Sequence, residues 1–190
     1  MENIKPKINW RIPLYGAIGF IIGEIIVDLI SLFLEISRIT VNTIELSMKY
    51  IITSVITSAI KGFIGSTALG LALKDKKKIL YLALAGAIGF AIGAIFYITI
   101  IKLISNTNAF LAIVLGSSIA GAIGSTALGL ALKDKKKILY LALAGAIGFA
   151  IAGIIRCTIG MGVIGLIVRN AIVGILLGLA LAYMIINEKN

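Results

Sequence analysis

The stretch from Ile64 to Ile92, IGSTALGLALKDKKKILYLALAGAIGFAI, recurs without a single change from Ile123 to Ile151. Each 29-residue copy joins two apolar, glycine-rich segments through a basic KDKKK knot. Crossing a hydrocarbon layer of roughly 30 Å takes about 20 apolar residues, so each copy reads as parts of two membrane helices joined by a charged turn.

Composition places the whole chain in the same class. Of its 190 residues 60% are hydrophobic and the mean hydropathy is +1.12, against roughly 45–50% apolar content in soluble domains. The 21 glycines are poor helix formers in water. In lipid they are tolerated, because backbone groups bond within the helix and small residues let helices approach closely. A single cysteine, Cys157, excludes an internal disulfide, and with no histidine there is no zinc, haem or imidazole proton relay of the usual kind. No cofactor or metal is expected. The polar start MENIKPKINWR leads into a long span without a cleavage-site pattern, so no removable signal peptide is expected.

Working outward from the repeat, six spans are expected: Ile12 to Leu34, Tyr50 to Leu73, Ile79 to Ile104, Ala109 to Leu132, Ile138 to Ile155 and Gly160 to Ile186. The fold class is an all-α integral membrane bundle of six transmembrane helices. After an N-terminal segment 1–11 come hairpins 12–73, 79–132 and 138–186, within one membrane domain. Tyr15 to Phe20 (YGAIGF) echoes GAIGF at 86–90 and 145–149, while Leu177 to Leu181 (LGLAL) echoes 69–73 and 128–132. Three similarly oriented hairpins imply a pseudo-threefold axis along the membrane normal, unlike the inverted repeats of many transporters.

Charge sets the orientation. Lys5, Lys7 and Arg11, the knots Lys74, Lys76, Lys77, Lys78 and Lys133, Lys135, Lys136, Lys137, and Lys189 put 12 of the 18 basic residues on one side. The other side carries Arg38 and Lys49 offset by Glu35 and Glu45. The positive-inside rule makes the knots and both termini cytoplasmic, in a cytoplasmic membrane. Trp10, Tyr15, Tyr81, Tyr140 and Tyr183 fall at that boundary as an aromatic belt would. The segment Glu35 to Lys49 reads as an interfacial helix or capping loop.

Glycines recur at helix-face spacing: Gly16, Gly19 and Gly23; Gly86, Gly89 and Gly93; Gly145 and Gly148; Gly174 and Gly178. Such stripes serve packing, within the chain or against a second copy or another membrane subunit. In packing style the tandem hairpins resemble the proteolipid rotor subunits of rotary ATPases. That family uses an ion-binding carboxylate in its working hairpins, and the second and third hairpins here have none within the membrane, so no residue role carries over. The lysine knots fix topology, with anionic lipid head groups or an acidic partner as what they would bind. Nucleic acid is not expected: the charge sits in two tight turns against a bilayer, without interleaved aromatics.

The charges inside the spans are the candidate functional residues. Glu24, Asp28, Ser31 and Glu35 share one face of the first helix, and Thr53, Thr57 and Lys61 form a matching stripe on the second. Glu24 and Lys61 both lie about 18 Å from the cytoplasmic edge at 1.5 Å per residue, near the midplane. Aligning LGLAL makes Arg169 the counterpart of Lys61, with Ala120 at the third place. Depth pairs Glu24 with Lys61 and Asp28 with Arg169. In one reading the cluster lines a polar pathway for a small ion or solute, Glu24 and Asp28 binding a cation or proton while Lys61 and Arg169 tune them. In the other the pairs neutralise each other and lock the packing order of a non-transporting scaffold or assembly subunit. Lys102 and Arg156, near the outer ends, are expected to snorkel to water. Cys157 is expected to be an apolar filler, and Ser66, Thr67, Ser125 and Thr126 to bond their own helix carbonyls. Scattered hydroxyls without histidine make no case for an enzyme.

Overall fold

At Leu73, Lys74 and Asp75 the chain reverses in the smallest possible space. The Leu73 amide donates to the Gly70 carbonyl at 3.0 Å and that of Lys74 to Leu71 at 3.2 Å. Lys74 takes φ 58°, and Lys133 in the second copy φ 56°. This left-handed residue ends a helix by turning its last amides back on orphan carbonyls. Asp75 then starts the next helix, its Oδ1 accepting from the amides of Lys77 at 3.0 Å and Lys78 at 3.3 Å. Asp134 does the same for Lys136 at 2.9 Å. Gly70 and Gly129 lie directly beneath the backbones of Ile79 and Ile138, so the returning helix has room only because no side chain stands there.

The computed structural model describes residues 8–33, 48–160 and 162–187. It holds six helices, α1 (Arg11–Phe33), α2 (Met48–Ala72), α3 (Lys76–Ile104), α4 (Ala109–Ala131), α5 (Lys135–Thr158) and α6 (Val163–Asn187). All six are long and apolar enough to span a membrane. Because Asp75 and Asp134 cap them, α3 and α5 start at Lys76 and Lys135, so most of each lysine knot stands in a first helical turn. The segment from Glu35 onward through residue 47, with Arg38 and Glu45, and also Lys5, Lys7, Leu34 and Lys189, lies outside the described residues.

Each helix packs on the next in sequence, and α6 packs on α1, so the six form a closed ring. In lipid there is no hydrophobic effect between helices, and close backbone approach supplies the contact energy. Glycine provides it at every junction. Gly16 meets the backbone of Gly174, and Gly178 that of Pro13, where α1 meets α6. Gly19 lies on Ala68 and Gly65, and Gly23 on the Lys61 backbone, between α1 and α2. Gly86 packs on Gly62 and Ser66, Gly89 on Gly124 and Ala127, Gly93 on Ala120, Gly145 on Gly121 and Ser125, and Gly148 on Val173. Ser66 and Ser125 are fully enclosed and their hydroxyls have no hydrogen-bond partner among the described residues, unlike Thr67 and Thr126, which bond Phe63 and Ala122 carbonyls at 2.7 and 2.8 Å. The expected back-bonding therefore holds for the threonines only; the serine oxygens press on the facing glycines instead.

The inside of the ring is filled at the lysine-knot end. Leu69, Leu128 and Leu177 are fully buried, as are Leu82 and Leu141, and Ile12 is buried beside them. Above them Phe20 and Phe90 meet edge-on with centroids 5.8 Å apart, and Phe149 lies 5.4 Å from Phe90. Outward stripes such as Ile18, Ile22, Ile25 and Leu29 are exposed and apolar, as a lipid-facing surface requires.

Two outcomes test this account. Gly174→Val, which forces a side chain into the Gly16 backbone, should lower stability in detergent by about 1–3 kcal/mol as overpacking does, while Gly162→Ala, with nothing within 4 Å, should leave the melting temperature unchanged. The amides of Lys78 and Lys77 hold the Asp75 carboxyl below its ordinary range; at Asp134 burial opposes, but the amides of Lys136 and Lys137 outweigh it. A carboxyl depressed by folding contributes stability above its unfolded value and loses it as pH falls from there down through the lower folded value. Melting of Asp75→Asn/Asp134→Asn should thus fall below that of the parent at pH 7, with the difference shrinking below about pH 3.9.

Candidate functional site

Gly23 brings α1 so close to α2 that its absent side chain faces the Lys61 carbonyl, 3.2 Å from where a Cβ would stand. The neighbouring Glu24 is thereby delivered to Lys61, whose Nζ is 2.5 Å from Oε2. The crossing of Gly16 with Gly174 brings α6 in from the other side, and Arg169 Nη2 donates to Glu24 Oε1 at 2.5 Å. One carboxylate is clamped by two cations, with Glu24 only 9% exposed. Lys61 Nζ also lies 6.0 Å from the centroid of the Phe149 ring, within cation–π range.

The pairing differs from the one that depth suggested. Arg169 sits on Glu24, not on Asp28, and Asp28 is exposed with no ion-pair partner among the described residues. Equal depth is a coordinate along the helix, whereas partnership depends also on which side chain the facing helix meets; Asp28, one turn on from Glu24, is left without an ion pair. Ser31 is half-buried and Thr53 offers its carbonyl to the Thr57 hydroxyl at 2.8 Å, so part of the predicted polar stripe is satisfied within its own helix.

Lys61, Arg169 and Glu24 border a cavity of about 280 Å³ inside the ring. Phe90, Phe149 and Val173 form its floor, and its walls run to Tyr50 in the first described turns of α2, away from the lysine knots. Thr57, Ser54, Ser58, Ser117 and Asn170 add polar groups. Asn170 is 1% exposed and donates to the Leu166 carbonyl at 2.8 Å. The largest surprise is Arg156. Instead of snorkelling outward it turns into the cavity, where its Nη1 donates to the Tyr97 hydroxyl at 3.1 Å. Lys102 and Cys157, by contrast, are exposed.

Arg156 and Tyr97 stand 59 residues apart, the spacing of the two identical copies, so they occupy one repeat position in which the copies differ. That divergence was the available signal, hidden because both residues follow the end of the identical stretch. In the same register Glu24 corresponds to Ala94 and Gly153, and Lys61 and Arg169 to Ala120. All of these line the cavity. Three charged side chains therefore share a level with three small ones, and the small ones leave the space.

At the opposite end Lys74, Lys76, Lys77, Lys78, Lys133, Lys135 and Lys136 are exposed, and Lys137 is held 3.6 Å from Asp134. Tyr140 and Tyr183 stack edge-on at 5.9 Å beside them.

The triad makes a ranked prediction. Glu24→Gln leaves two partly buried cations without a counter-charge and should be the costliest of the four, up to about 3–5 kcal/mol, the loss seen when one partner of a buried pair is removed. Lys61→Met and Arg169→Met each leave Glu24 one cation and should cost less, and Asp28→Asn should change detergent melting least of the four. A search of known protein families, of curated proteins and of solved structures finds no match to this chain.

Proposed function

We propose that the six helices surround a polar vestibule that admits a small ion or solute from one side of the membrane, and that the phenylalanine layer is the barrier at its inner end. In this reading the three hairpins stand about a pseudo-threefold axis, with the lysine knots and both termini on the cytoplasmic side. The observation that carries it is the cavity itself, to which every helix contributes lining residues, from Glu24 and Val27 in α1 to Arg169 and Asn170 in α6. Protein interiors pack with few voids larger than a water molecule, and charges at this depth cost at least ~2.5–3.5 kcal/mol each on insertion scales. A space bordered by four charged residues is what a pathway needs and what a packing core avoids.

Other observations support the finer points. The repeat-equivalent Phe20, Phe90 and Phe149 meet in one layer, and Leu69, Leu128 and Leu177, like Ile12, Leu82 and Leu141, are equivalent positions buried in one core, as three parallel hairpins would have them. Lysines in the first turns of α3 and α5 oppose the helix dipole, so helix stability does not explain them and topology does. A scaffold that engages other subunits through its glycines has less support, because the glycine stripes already face neighbours within this chain.

Liposome flux tests the reading. The parent protein should pass small ions or solutes faster than protein-free liposomes, and Phe90→Ala, which removes the ring touching both other phenylalanines, should raise that flux severalfold. Flux at the protein-free level in both, with both correctly folded, returns the chain to the scaffold reading.

A further inference from the structure

The balance of charge and hydrogen-bonding groups in the vestibule identifies what it takes. Its lining holds Lys61, Arg156 and Arg169 against the single carboxylate of Glu24, a formal charge of +2. Both Glu24 oxygens are engaged, Oε2 by Lys61 and Oε1 by Arg169. Asp28, the other acid of this face, does not line the space. Among the described residues, a cation entering it would find no lining carboxylate oxygen without a partner and a field of the wrong sign.

The donors tell the same story. A guanidinium carries five N–H donors in a planar fork, and Arg156 directs one group at the Tyr97 hydroxyl oxygen. No carboxylate pairs with Arg156 among the described residues. Since the Tyr97 oxygen accepts from Arg156, its own proton is left to donate. Asn170 spends one amide proton on Leu166, and Ser54, Ser58 and Ser117 bring hydroxyls to the same walls. The volume of about 280 Å³ is far above the ~10–15 Å³ that admits one water, which leaves room for a small, partly hydrated anion.

Resting on the vestibule reading above, we infer that this cavity binds a small oxyanion of the carboxylate or phosphate class, held by the fork of Arg156 and the hydroxyl of Tyr97 in the field of Lys61 and Arg169. Guanidinium matches two oxygens of such an anion at once, which ammonium does not. Glu24 then has a defined part: it keeps the two deeper cations from collapsing onto the anion and trapping it, since conduction requires binding weak enough to release.

The test uses the purified full chain in detergent, with sodium acetate and sodium phosphate as probes against sodium chloride at equal ionic strength. Acetate or phosphate should raise the melting temperature saturably, as a ligand that binds only the folded state does. Replacing sodium by choline at fixed anion should change nothing. Arg156→Gln should weaken the apparent affinity by about tenfold or more, Arg156→Lys should fall between, and Tyr97→Phe, which keeps the cation and loses the donor, should also weaken it. No anion dependence in the parent, or an undiminished effect in folded Arg156→Gln, overturns the inference; if Arg156→Gln does not fold, an undiminished effect in Tyr97→Phe does so. The two readings fail separately. Cation-selective flux through Phe90→Ala liposomes refutes the anion site and keeps the pathway, whereas saturable anion binding without flux keeps the site and refutes the pathway.

Discussion

The contact between the Gly16 and Gly174 backbones closes the ring, and the interior depends on that closure. Five of the junctions join helices that follow one another along the chain, and short connections tether most of them. The sixth, between α1 and α6, joins segments far apart in the chain and is held by glycine packing and by the Arg169–Glu24 ion pair. Lipid tails solvate leucine as well as another helix does, so a gain in contact energy needs backbone proximity. Glycine at both partners gives it. With α6 seated there, Arg169 reaches Glu24 and Asn170 becomes buried.

A second constraint follows from closure. Filling a ring of six helices requires bulk at each level, and the phenylalanine and leucine layers supply it toward the lysine knots. At the level of Glu24 one half of the ring, α6, α1 and α2, contributes Arg169, Glu24 and Lys61, and the other half, α3, α4 and α5, contributes Ala94, Ala120 and Gly153. Two cations on one carboxylate satisfy the electrostatics of the buried acid, and the small residues account for the space beside it.

Legibility differed sharply between levels of structure. The spans follow from runs of apolar residues, and the reversal at LKDKKK follows from local chemistry, with Asp75 and Asp134 as caps. The starts of α3 and α5 shifted into the lysine knots because a cap counts for more at a helix end than charge does. Glycine spacing identified stripes, but Gly62, Gly65, Gly70, Gly121, Gly124 and Gly129, which make equally close approaches, stand outside those stripes and passed unnoticed. For the site, Glu24, Lys61 and Arg169 were visible as charges in apolar helices. Arg156 was not, because distance from the span centre suggested water as its destination, while Tyr97 on the adjoining copy offered a partner inside.

What the amino-acid sequence determined alone is whatever depends on neighbours along one helix: that six segments are apolar enough to span a membrane, where the chain reverses, and which residues carry charge at depth. The tertiary structure decided which of those charges meet. Rotation of each helix about its own axis is set by glycines pressing on the next helix, and that packing gave Arg169 to Glu24, left Asp28 exposed without an ion pair among the described residues, and turned Arg156 toward Tyr97. One-dimensional spacing fixes a residue's height in the membrane; only packing fixes the direction it faces.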